Sequence, residues 1–292
     1  MIFSIKNDHL SLSVDSYGAQ MQSIKSADGV EYLWQGDEQF WAGRAPNLFP
    51  FAARMWQKKF LFDGKEYPTE LHGFTRFSDF ALFEQTADML VFRLDSNDDI
   101  KKIYPFEFSF FIIYKLSCKT VEITYKVENY GDKKMHFAVG GHPGFNTPIS
   151  EETPFEDYYI EFESECKPIR VGFSPEVHVN GKDAPYPLVE GRILPLRHEL
   201  FDNDAIVLKN ATSTAFLCSE KLGKILKVSY PQMPIIAFWQ YAHRKCPYIC
   251  FEPWSALPGR QDIIEDISLK EDLIHLPPNE FYSNTWSVEI LK

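Results

Sequence analysis

Apolar and polar residues alternate along much of the chain, with the period of two that is typical of half-buried β-strands. Residues 10–14, 121–128 and 286–290 each place apolar side chains on one face and polar side chains on the other. Residues 106–116 begin with the same alternation and then become apolar on both faces. That change predicts a strand buried on both sides, near the centre of a sheet.

Helical patterns are scarce. Residues 263–273 predict a short helix, and residues near 200 predict one or two helical turns. Neither segment alternates with strands as a parallel α/β sheet requires. We therefore predict an all-β fold, a large antiparallel β-sandwich with a few short helices, formed by a single domain over residues 1–292. Residues 148–196, with seven prolines, predict a loop-rich excursion at the edge of the sandwich.

Composition excludes several classes of function. The net charge of −11 gives no basic footprint for nucleic acid. No run of about 18 apolar residues is present for a membrane span, and residues 1–20 lack the pattern of a signal peptide. We therefore expect a cytoplasmic protein, monomeric or homodimeric, that contacts neither nucleic acid nor membrane. The five scattered cysteines are expected to be reduced.

No cofactor or metal is predicted. The chain has no glycine-rich phosphate loop, no dinucleotide fingerprint and no Gly-x-Ser-x-Gly elbow. His243, Cys246 and Cys250 lie close together in sequence, but zinc would require a fourth ligand and a second paired half. Buried structural thiols are the simpler interpretation of these cysteines.

Four segments each place ionisable residues among aromatic or small neighbours. They are "NLFPFAARMW" with Arg54, "ELHGFTRFSDF" with His72 and Arg76, "GGHPGFN" with His142, and "YICFEPW" with Glu252. A carboxylate among apolar neighbours is desolvated, which raises its pKa and makes it a usable base near neutrality. Two simpler interpretations stay open: Glu252 only pairs with an arginine, and the histidines are satisfied core residues.

Together and in this order, "NLFPFAAR", "LHGFTR", "GGHPGFN" and "CFEPW" resemble the motifs of the aldose 1-epimerase (mutarotase) family, and more closely its bacterial galactose mutarotase-related branch. The resemblance implies a large antiparallel β-sandwich with an open sugar-binding face, Glu252 as general base and His142 as general acid. The resemblance also implies a set of substrate-binding residues, which lie on these segments or are aromatic residues close to them in sequence. They are Arg54, His72, Arg76, Phe145, Asn146, Trp239 and Trp254. Family members also carry an aspartate upstream of the glutamate, whereas the matching region here has Trp239 and Gln240.

The implied activity is interconversion of the α and β anomers of a hexose such as galactose or glucose, by acid–base ring opening without metal or nucleotide. These roles predict a bell-shaped pH dependence of kcat/KM. The acid limb reports ionisation of Glu252, and the basic limb reports loss of the proton from His142. Three further functions stay open. One is a mutarotase for phosphorylated hexoses, with Arg44, Arg54 and Arg76 as candidate cations. The second is a non-catalytic sugar-binding or sensor protein, and the third is a glycoside hydrolase or lyase, although hydrolysis normally needs two carboxyl groups.

Overall fold

The computed structural model describes residues 1–150 and 153–292. Strands dominate these residues, and the pairings between the strands are antiparallel. The predicted antiparallel β-sandwich is confirmed.

In the first half of the chain the strands are β1 (Ile2–Lys6), β2 (Leu10–Asp15), β3 (Gln20–Ser26), β4 (Asn47–Leu48), β5 (Lys59–Phe62), β6 (Lys65–Pro68), β7 (Ala81–Gln85), β8 (Met89–Asp95), β9 (Phe108–Ser117), β10 (Thr120–Asn129), β11 (Met135–Phe137) and β12 (Gly140–Gly141). In the second half they are β13 (Gly144–Asn146), β14 (Tyr158–Phe162), β15 (Ile169–Arg170), β16 (Ala184–Pro185), β17 (Ile193–Pro195), β18 (Ile206–Lys209), β19 (Thr214–Ser219), β20 (Gly223–Ser229), β21 (Ile235–Trp239), β22 (Tyr248–Trp254), β23 (Ile274–Leu276) and β24 (Phe281–Ile290). The helices are α1 (Asp98–Ile103) and the 3-10 helices Trp56–Lys58, Thr75–Phe77, Phe155–Asp157 and His198–Phe201.

Two large sheets form the sandwich. The nine-stranded sheet runs β17-β14-β19-β20-β24-β10-β9-β8-β7, and the eight-stranded sheet runs β16-β15-β18-β21-β22-β12-β4, with β13 also paired to β22. The core lies between them. Buried Asn47 on β4 donates to the Tyr114 hydroxyl on β9 and accepts from the Tyr125 hydroxyl on β10, so hydrogen bonds as well as apolar packing join the two sheets.

The alternating segments are strands, as predicted. On β10 every second side chain, from Val121 to Asn129, is buried, and β2 and the C-terminal half of β24 show the same pattern. The predicted central strand, β9, is buried on both faces along its first half. It lies between β8 and β10, which is why both of its faces are covered there.

The predicted helix over 263–273 was wrong. This segment runs beside β5, where the amide of Leu61 donates to the carbonyl of Glu265 and the amide of Ile267 donates to the carbonyl of Leu61. The carboxylate of Glu265 binds the guanidinium of Arg260 through two hydrogen bonds. These partners hold the backbone away from helical geometry, so tertiary contacts override the local pattern. Near residue 200 the expected turn is present, as the 3-10 helix His198–Phe201.

Residues 148–196 are more regular than predicted. Within them, β14 lies inside the nine-stranded sheet, paired with β17 on one side and β19 on the other. Tyr158, Ile160 and Phe162 are buried there. The segment also supplies the end strands of both large sheets, β17 and β16. Its predicted place at the edge of the sandwich is therefore confirmed, but it contains more strand than a loop-rich excursion would. Positions 151–152 of this segment lie outside the described residues.

Two glycines at the start of the motif "GGHPGFN" form β12, a strand of the eight-stranded sheet that packs closely against its neighbours. Gly140 pairs with Leu48 on one side and with Trp254 on the other, so β12 belongs to the ladder. A Cβ at Gly141 would lie 2.5 Å from the ring of Trp286, closer than real Cβ contacts come. The close packing of this backbone against Trp254 and Trp286 therefore requires glycine at both positions, and His142 is the next residue along the chain.

We expect Gly141→Ala to lower the free energy of unfolding by about 1–3 kcal/mol, because overpacking against Trp286 forces the backbone to shift. Gly131→Ala is the matched control, since its Cβ would meet nothing closer than 3.5 Å and is expected to change stability by less than about 0.5 kcal/mol. Urea unfolding followed by tryptophan fluorescence measures both values. Equal stability of the two variants would contradict the proposed close approach.

Candidate active site

A cavity of about 740 Å³ opens on the eight-stranded sheet, which is within the usual size range for small-molecule sites. Its walls include the loop before β4, the segment after β4, the 3-10 helix Thr75–Phe77, the residue that follows β12, and parts of β18, β21 and β22. The cavity brings together seven of the nine predicted site residues, namely Arg54, His72, Arg76, His142, Trp239, Glu252 and Trp254.

The central contact of the cavity joins an imidazole to a carboxyl group. His142 Nε2 lies 3.3 Å from Glu252 Oε1, and the two side chains are 8% and 2% exposed. The contact follows from strand pairing: Gly140 lies opposite Trp254, which places His142, two residues later, against Glu252, two residues earlier. Antiparallel neighbours thus supply two titratable groups from positions 110 residues apart.

Burial shifts both groups toward their uncharged forms. It raises the pKa of Glu252 well above its usual value, and the charge of Asp204 acts in the same direction. Burial also lowers the pKa of His142 to about 3. Both directions favour a pair that holds one titratable proton, with a neutral carboxyl group beside a neutral imidazole. These directions are opposite to the order of pKa values that the predicted pH limbs assume, and the assignment of the limbs stays a prediction.

Aromatic rings fix the orientation of His142. The ring of Trp41 stacks on the imidazole at a centroid distance of 5.0 Å, and Trp239 meets it edge-on at 5.5 Å. Both indoles line the cavity. Sequence reasoning missed Trp41, which lies in an irregular loop, although its neighbours Ala42 and Gly43 are small enough for the ring to fold back over the backbone.

His72 is held by a reciprocal pair of hydrogen bonds. Its amide donates to the carbonyl of Ala53 at 2.8 Å, and its Nδ1 accepts from the amide of Ala53 at 3.0 Å. Burial lowers its pKa well below the usual value, so the imidazole is neutral and carries its proton on Nε2. The next residue must be glycine, since a Cβ at Gly73 would lie 2.1 Å from the carbonyl oxygen of Phe49. The Nε2–H group is then available as a donor to a ligand.

Arg54 and Arg76 bring two cationic side chains to the cavity wall. Within the described parts of the chain, neither guanidinium forms a salt bridge or a hydrogen bond. Burial lowers the pKa of Arg76, whose guanidinium lies 4.6 Å from the ring centre of Phe77. The third candidate cation, Arg44, is used elsewhere: it donates to the carbonyl of Gln22 and to the side chain of Gln35.

Asp204 gives the cavity a second carboxylate that sequence reasoning missed. It lies in the turn between the 3-10 helix His198–Phe201 and β18, in the left-handed region with φ 69°. Its carboxylate accepts from the amide of Ala205, and it lines the cavity. An aspartate upstream of Glu252 is thus present, although not in the region around Trp239 and Gln240. Pairing of β18 with β21 brings it to the site, which local sequence does not show.

Phe145 and Asn146, the remaining two predicted site residues, do not line the cavity. Phe145 is fully buried in the core, where its ring meets that of Phe251. The side-chain amide of Asn146 donates to the carbonyl of Glu31. Both lie on β13, beyond the point where the chain leaves the cavity. The predicted contact of these two residues with substrate was therefore wrong, because their side chains point to the core and to the backbone of Glu31 instead of to the cavity.

Comparison with known proteins identifies the family. The family model for aldose 1-epimerase matches residues 1–289. The chain belongs to the aldose 1-epimerase family. It is 32% identical to the plasmid-encoded protein LacX of Lactococcus lactis subsp. lactis, with 100% of both chains covered.

Two solved structures share the fold over almost the whole chain. A galactose mutarotase related enzyme from Lactobacillus acidophilus matches with a TM-score of 0.94 and 29% identity, covering 100% of this chain and 98% of that one. A galactose mutarotase-like protein from Lactobacillus casei matches with a TM-score of 0.92 and 30% identity, covering 99% and 100%. The predicted galactose mutarotase-like sandwich is thereby confirmed.

Among the described residues, no helix has the length and apolarity needed to cross a membrane.

One cluster in this aldose 1-epimerase family member has the donor types of a metal site. Ligand atoms of His142, Cys250 and Glu252 lie within 4.8 Å of one another, and all three residues are buried. It differs from the cluster weighed in the sequence, since His243 is exposed and contacts Asp202 instead. A cation at this cluster would occupy the imidazole and the carboxyl group together, so it would compete with any acid–base use of them.

Burial of Glu252 predicts an unusual effect on stability. Its pKa is raised in the folded protein, so its favourable contribution is complete below the unfolded value of 4.5 and is lost as pH rises toward the folded value. Glu252→Gln has no carboxyl group to ionise at this position, so its stability does not fall with pH for this reason. We expect the melting temperature of the variant to exceed that of the native protein by a margin that grows above pH 4.5.

Glu265→Gln is the matched control for that comparison. Glu265 is equally buried, at 2% exposure, and burial alone would raise its pKa, but its bonds to Arg260 lower it. Its removal is expected to destabilise the protein at neutral pH, by a margin that shrinks at low pH. Differential scanning calorimetry from pH 4 to 8 distinguishes the two cases. A destabilised Glu252→Gln at neutral pH would contradict the unfavourable burial.

Proposed function

We propose that this protein is an aldose 1-epimerase that interconverts the α and β anomers of a hexose such as galactose or glucose. Glu252 acts as the general base and His142 as the general acid, with His72, Arg54, Arg76, Trp239 and Trp254 binding the sugar. The supporting observation is the 3.3 Å contact between His142 Nε2 and Glu252 Oε1 inside the cavity.

Anomer exchange requires one group that accepts a proton and one that donates a proton, and a His142–Glu252 pair that holds one titratable proton supplies both. The C1 hydroxyl gives its proton to Glu252, the bond from C1 to the ring oxygen breaks as a C1 carbonyl forms, and the ring oxygen takes a proton from His142. After rotation about the bond from C1 to C2, the same steps run backwards on the other face of the carbonyl. The pair begins and ends with one proton, so no metal, nucleotide or covalent intermediate is required.

The short distance between His142 and Glu252 matches the short distance between the two oxygens on C1 of an aldose. The hydroxyl oxygen and the ring oxygen of an aldose are bound to the same carbon, so an acid and a base that serve both must lie close together. In the empty site, burial favours a protonated Glu252 and a neutral His142. A C1 hydroxyl that donates to the carboxylate favours its ionised form, which moves the shared proton toward the imidazole.

A sugar with an anionic substituent is the second candidate substrate. It is favoured by Arg54 and Arg76, which line the cavity and have no ion-pair partner in the described residues. The two candidates are separated by kcat/KM for free hexoses and their 6-phosphates. If Arg76 binds a phosphate, Arg76→Gln lowers kcat/KM for the phosphate at least tenfold more than for the free hexose; equal losses assign it to the sugar hydroxyls.

Sugar binding without catalysis and glycoside hydrolysis are less well supported. A non-catalytic sugar-binding protein has no use for a buried His142–Glu252 contact, whose desolvation costs free energy. Asp204 adds the second carboxylate that a glycoside hydrolase would need. Membership of the aldose 1-epimerase family favours isomerisation over hydrolysis, and release of free sugars from a glycoside is the observation that would favour a hydrolase.

We expect Glu252→Gln to reduce the rate of anomer exchange by about 10²–10⁴-fold, the usual contribution of a positioned acid or base. The rate is measured by NMR exchange spectroscopy of the two anomeric protons at equilibrium, with the uncatalysed rate subtracted. Glu265→Gln, which changes a buried glutamate away from the cavity, is expected to retain the native rate at temperatures where it is folded. A native rate in Glu252→Gln would rule out Glu252 as the base.

The pH dependence of kcat/KM should show a plateau through neutral pH. The rate falls at low pH as His142, with a pKa of about 3, takes up a second proton, and it falls at high pH as the pair loses its proton from Glu252, whose pKa is raised. In His142→Asn no imidazole can hold the proton, so residual activity requires ionised Glu252 and the acid limb should move to higher pH. An acid limb with an unchanged midpoint in that variant would assign it to another group.

A further inference from the structure

Cys250 lies beside the acid–base pair and has no part in the proposed reaction. It comes two residues before Glu252 on β22, so strand alternation places both side chains on the same face of the sheet. Its partner on β13 is Gly144, where a Cβ would lie 3.5 Å from the sulfur. The thiol is fully buried and, in the part of the chain that the structure describes, forms no hydrogen bond. A soft ligand atom is therefore held next to an imidazole and a carboxyl group.

The ligand atoms of these three residues have nearly the spacing of a tetrahedral zinc site. Zinc bonds of about 2.0 Å to nitrogen or oxygen and about 2.3 Å to sulfur place neighbouring ligands about 3.3–3.6 Å apart. His142 Nε2 and Glu252 Oε1 are already 3.3 Å apart, and the set that includes Cys250 lies within 4.8 Å. Closing the set therefore needs shifts of about 1 Å. Nδ1 of His142 has no hydrogen-bond partner, so no such bond opposes a small rotation of the ring.

The charges of this ligand set suit a divalent cation in a buried site. A thiolate and a carboxylate supply two negative charges and the imidazole supplies none, so a bound Zn²⁺ leaves the cluster without net charge. Buried charges are tolerated when they are paired or coordinate a metal. The guanidinium groups of Arg54 and Arg76 on the cavity wall therefore face a neutral complex, which they do not repel.

Access and ligand type both favour zinc over the harder cations. His142 and Glu252 line the cavity, so a cation reaches the cluster through the opening that the sugar uses. Mg²⁺ and Ca²⁺ take six or more ligands, mostly oxygen, whereas thiolate and imidazole suit zinc. Three protein ligands leave the fourth tetrahedral position to water, as in zinc sites that keep an open position.

We propose that His142, Cys250 and Glu252 form a Zn²⁺-binding site that switches off anomer exchange. The bound cation occupies the imidazole and the carboxylate together, so neither can accept or donate the proton that ring opening requires. Zinc and sugar then exclude each other. The inhibition rests on the proposed function, whereas the binding does not, so the two are measured separately.

Cobalt titration of the full chain tests the binding, because Co²⁺ occupies zinc sites and shows a near-ultraviolet charge-transfer band when a thiolate binds it. We expect the band in the native protein, its loss when zinc displaces cobalt, and its absence from Cys250→Ser. Cys246→Ser is the matched control and should keep the band. Cys246 is also a buried free cysteine and packs in the same aromatic cluster, but it does not belong to the ligand set. A band that persists in Cys250→Ser overturns the site.

X-ray absorption of the native protein loaded with one equivalent of zinc needs no variant. We expect one sulfur neighbour at about 2.3 Å, with the remaining neighbours at about 2.0 Å. A shell of nitrogen and oxygen alone overturns the site, even if Cys250→Ser fails to fold.

The rate of anomer exchange, measured by NMR, then tests the inhibition. Zinc should lower the native rate by about 10²-fold or more, the contribution of a positioned acid or base, and EDTA should restore it. Excess hexose should raise the zinc concentration required, and Mg²⁺ should have no effect. Relative to its own zinc-free rate, Cys250→Ser should require at least about tenfold more zinc, whereas Cys246→Ser should respond like the native protein.

Failure of the metal site and failure of the proposed function give different results. If sugars exchange but neither cobalt nor zinc binds through sulfur, the site is overturned while the epimerase stands. If metal binds through Cys250 but the metal-free protein exchanges no sugar, the proposed function fails and the binding site stands. Exchange at the native rate with the cluster loaded overturns the proposed inhibition.

Discussion

The close packing of Gly140 against its neighbouring strands and of Gly141 against the opposing sheet sets the geometry of the site. Gly140 and Gly141 lie between β4 and β22, and their backbone passes against the rings of Trp254 and Trp286. The strand pairing then leaves His142 facing Glu252. Side chains at these positions would separate the strands, and the imidazole would lose its contact. Packing, more than local backbone freedom, is therefore why this motif begins with two glycines.

Burial gives this contact its chemistry. Burial disfavours the charged forms of both His142 and Glu252. It lowers the pKa of the imidazole and raises the pKa of the carboxyl group, and both changes favour a pair that holds one titratable proton. A pair with one proton can supply an acid and a base to two oxygens of one carbon. The same desolvation makes Glu252 a burden on stability, which is the usual trade-off between a functional site and the fold that holds it.

The sequence predicted the strands because their burial follows a period of two, as β2 and β10 show. It also predicted that His142 and Glu252 share one site, because each lies in a local motif that resembles those of the family. It failed where distant segments decide the outcome. Pairing with β5 overrides the helical pattern of residues 263–273. Asp204 and Trp41 reach the cavity from a turn and a loop with no recognisable motif. Phe145, although inside a motif, points into the core. Such placements depend on tertiary contacts that a pattern along the chain does not contain.

The central claim is that His142 and Glu252 act as one unit on the anomeric centre. The most direct test is a double-mutant cycle of Glu252→Gln and His142→Asn, measured as the catalysed rate of anomer exchange by NMR. Residues that act as a unit are strongly non-additive. We therefore predict that the double variant is about as slow as the slower single variant. Losses that multiply in the double variant would show that the two residues act independently and would contradict the claim.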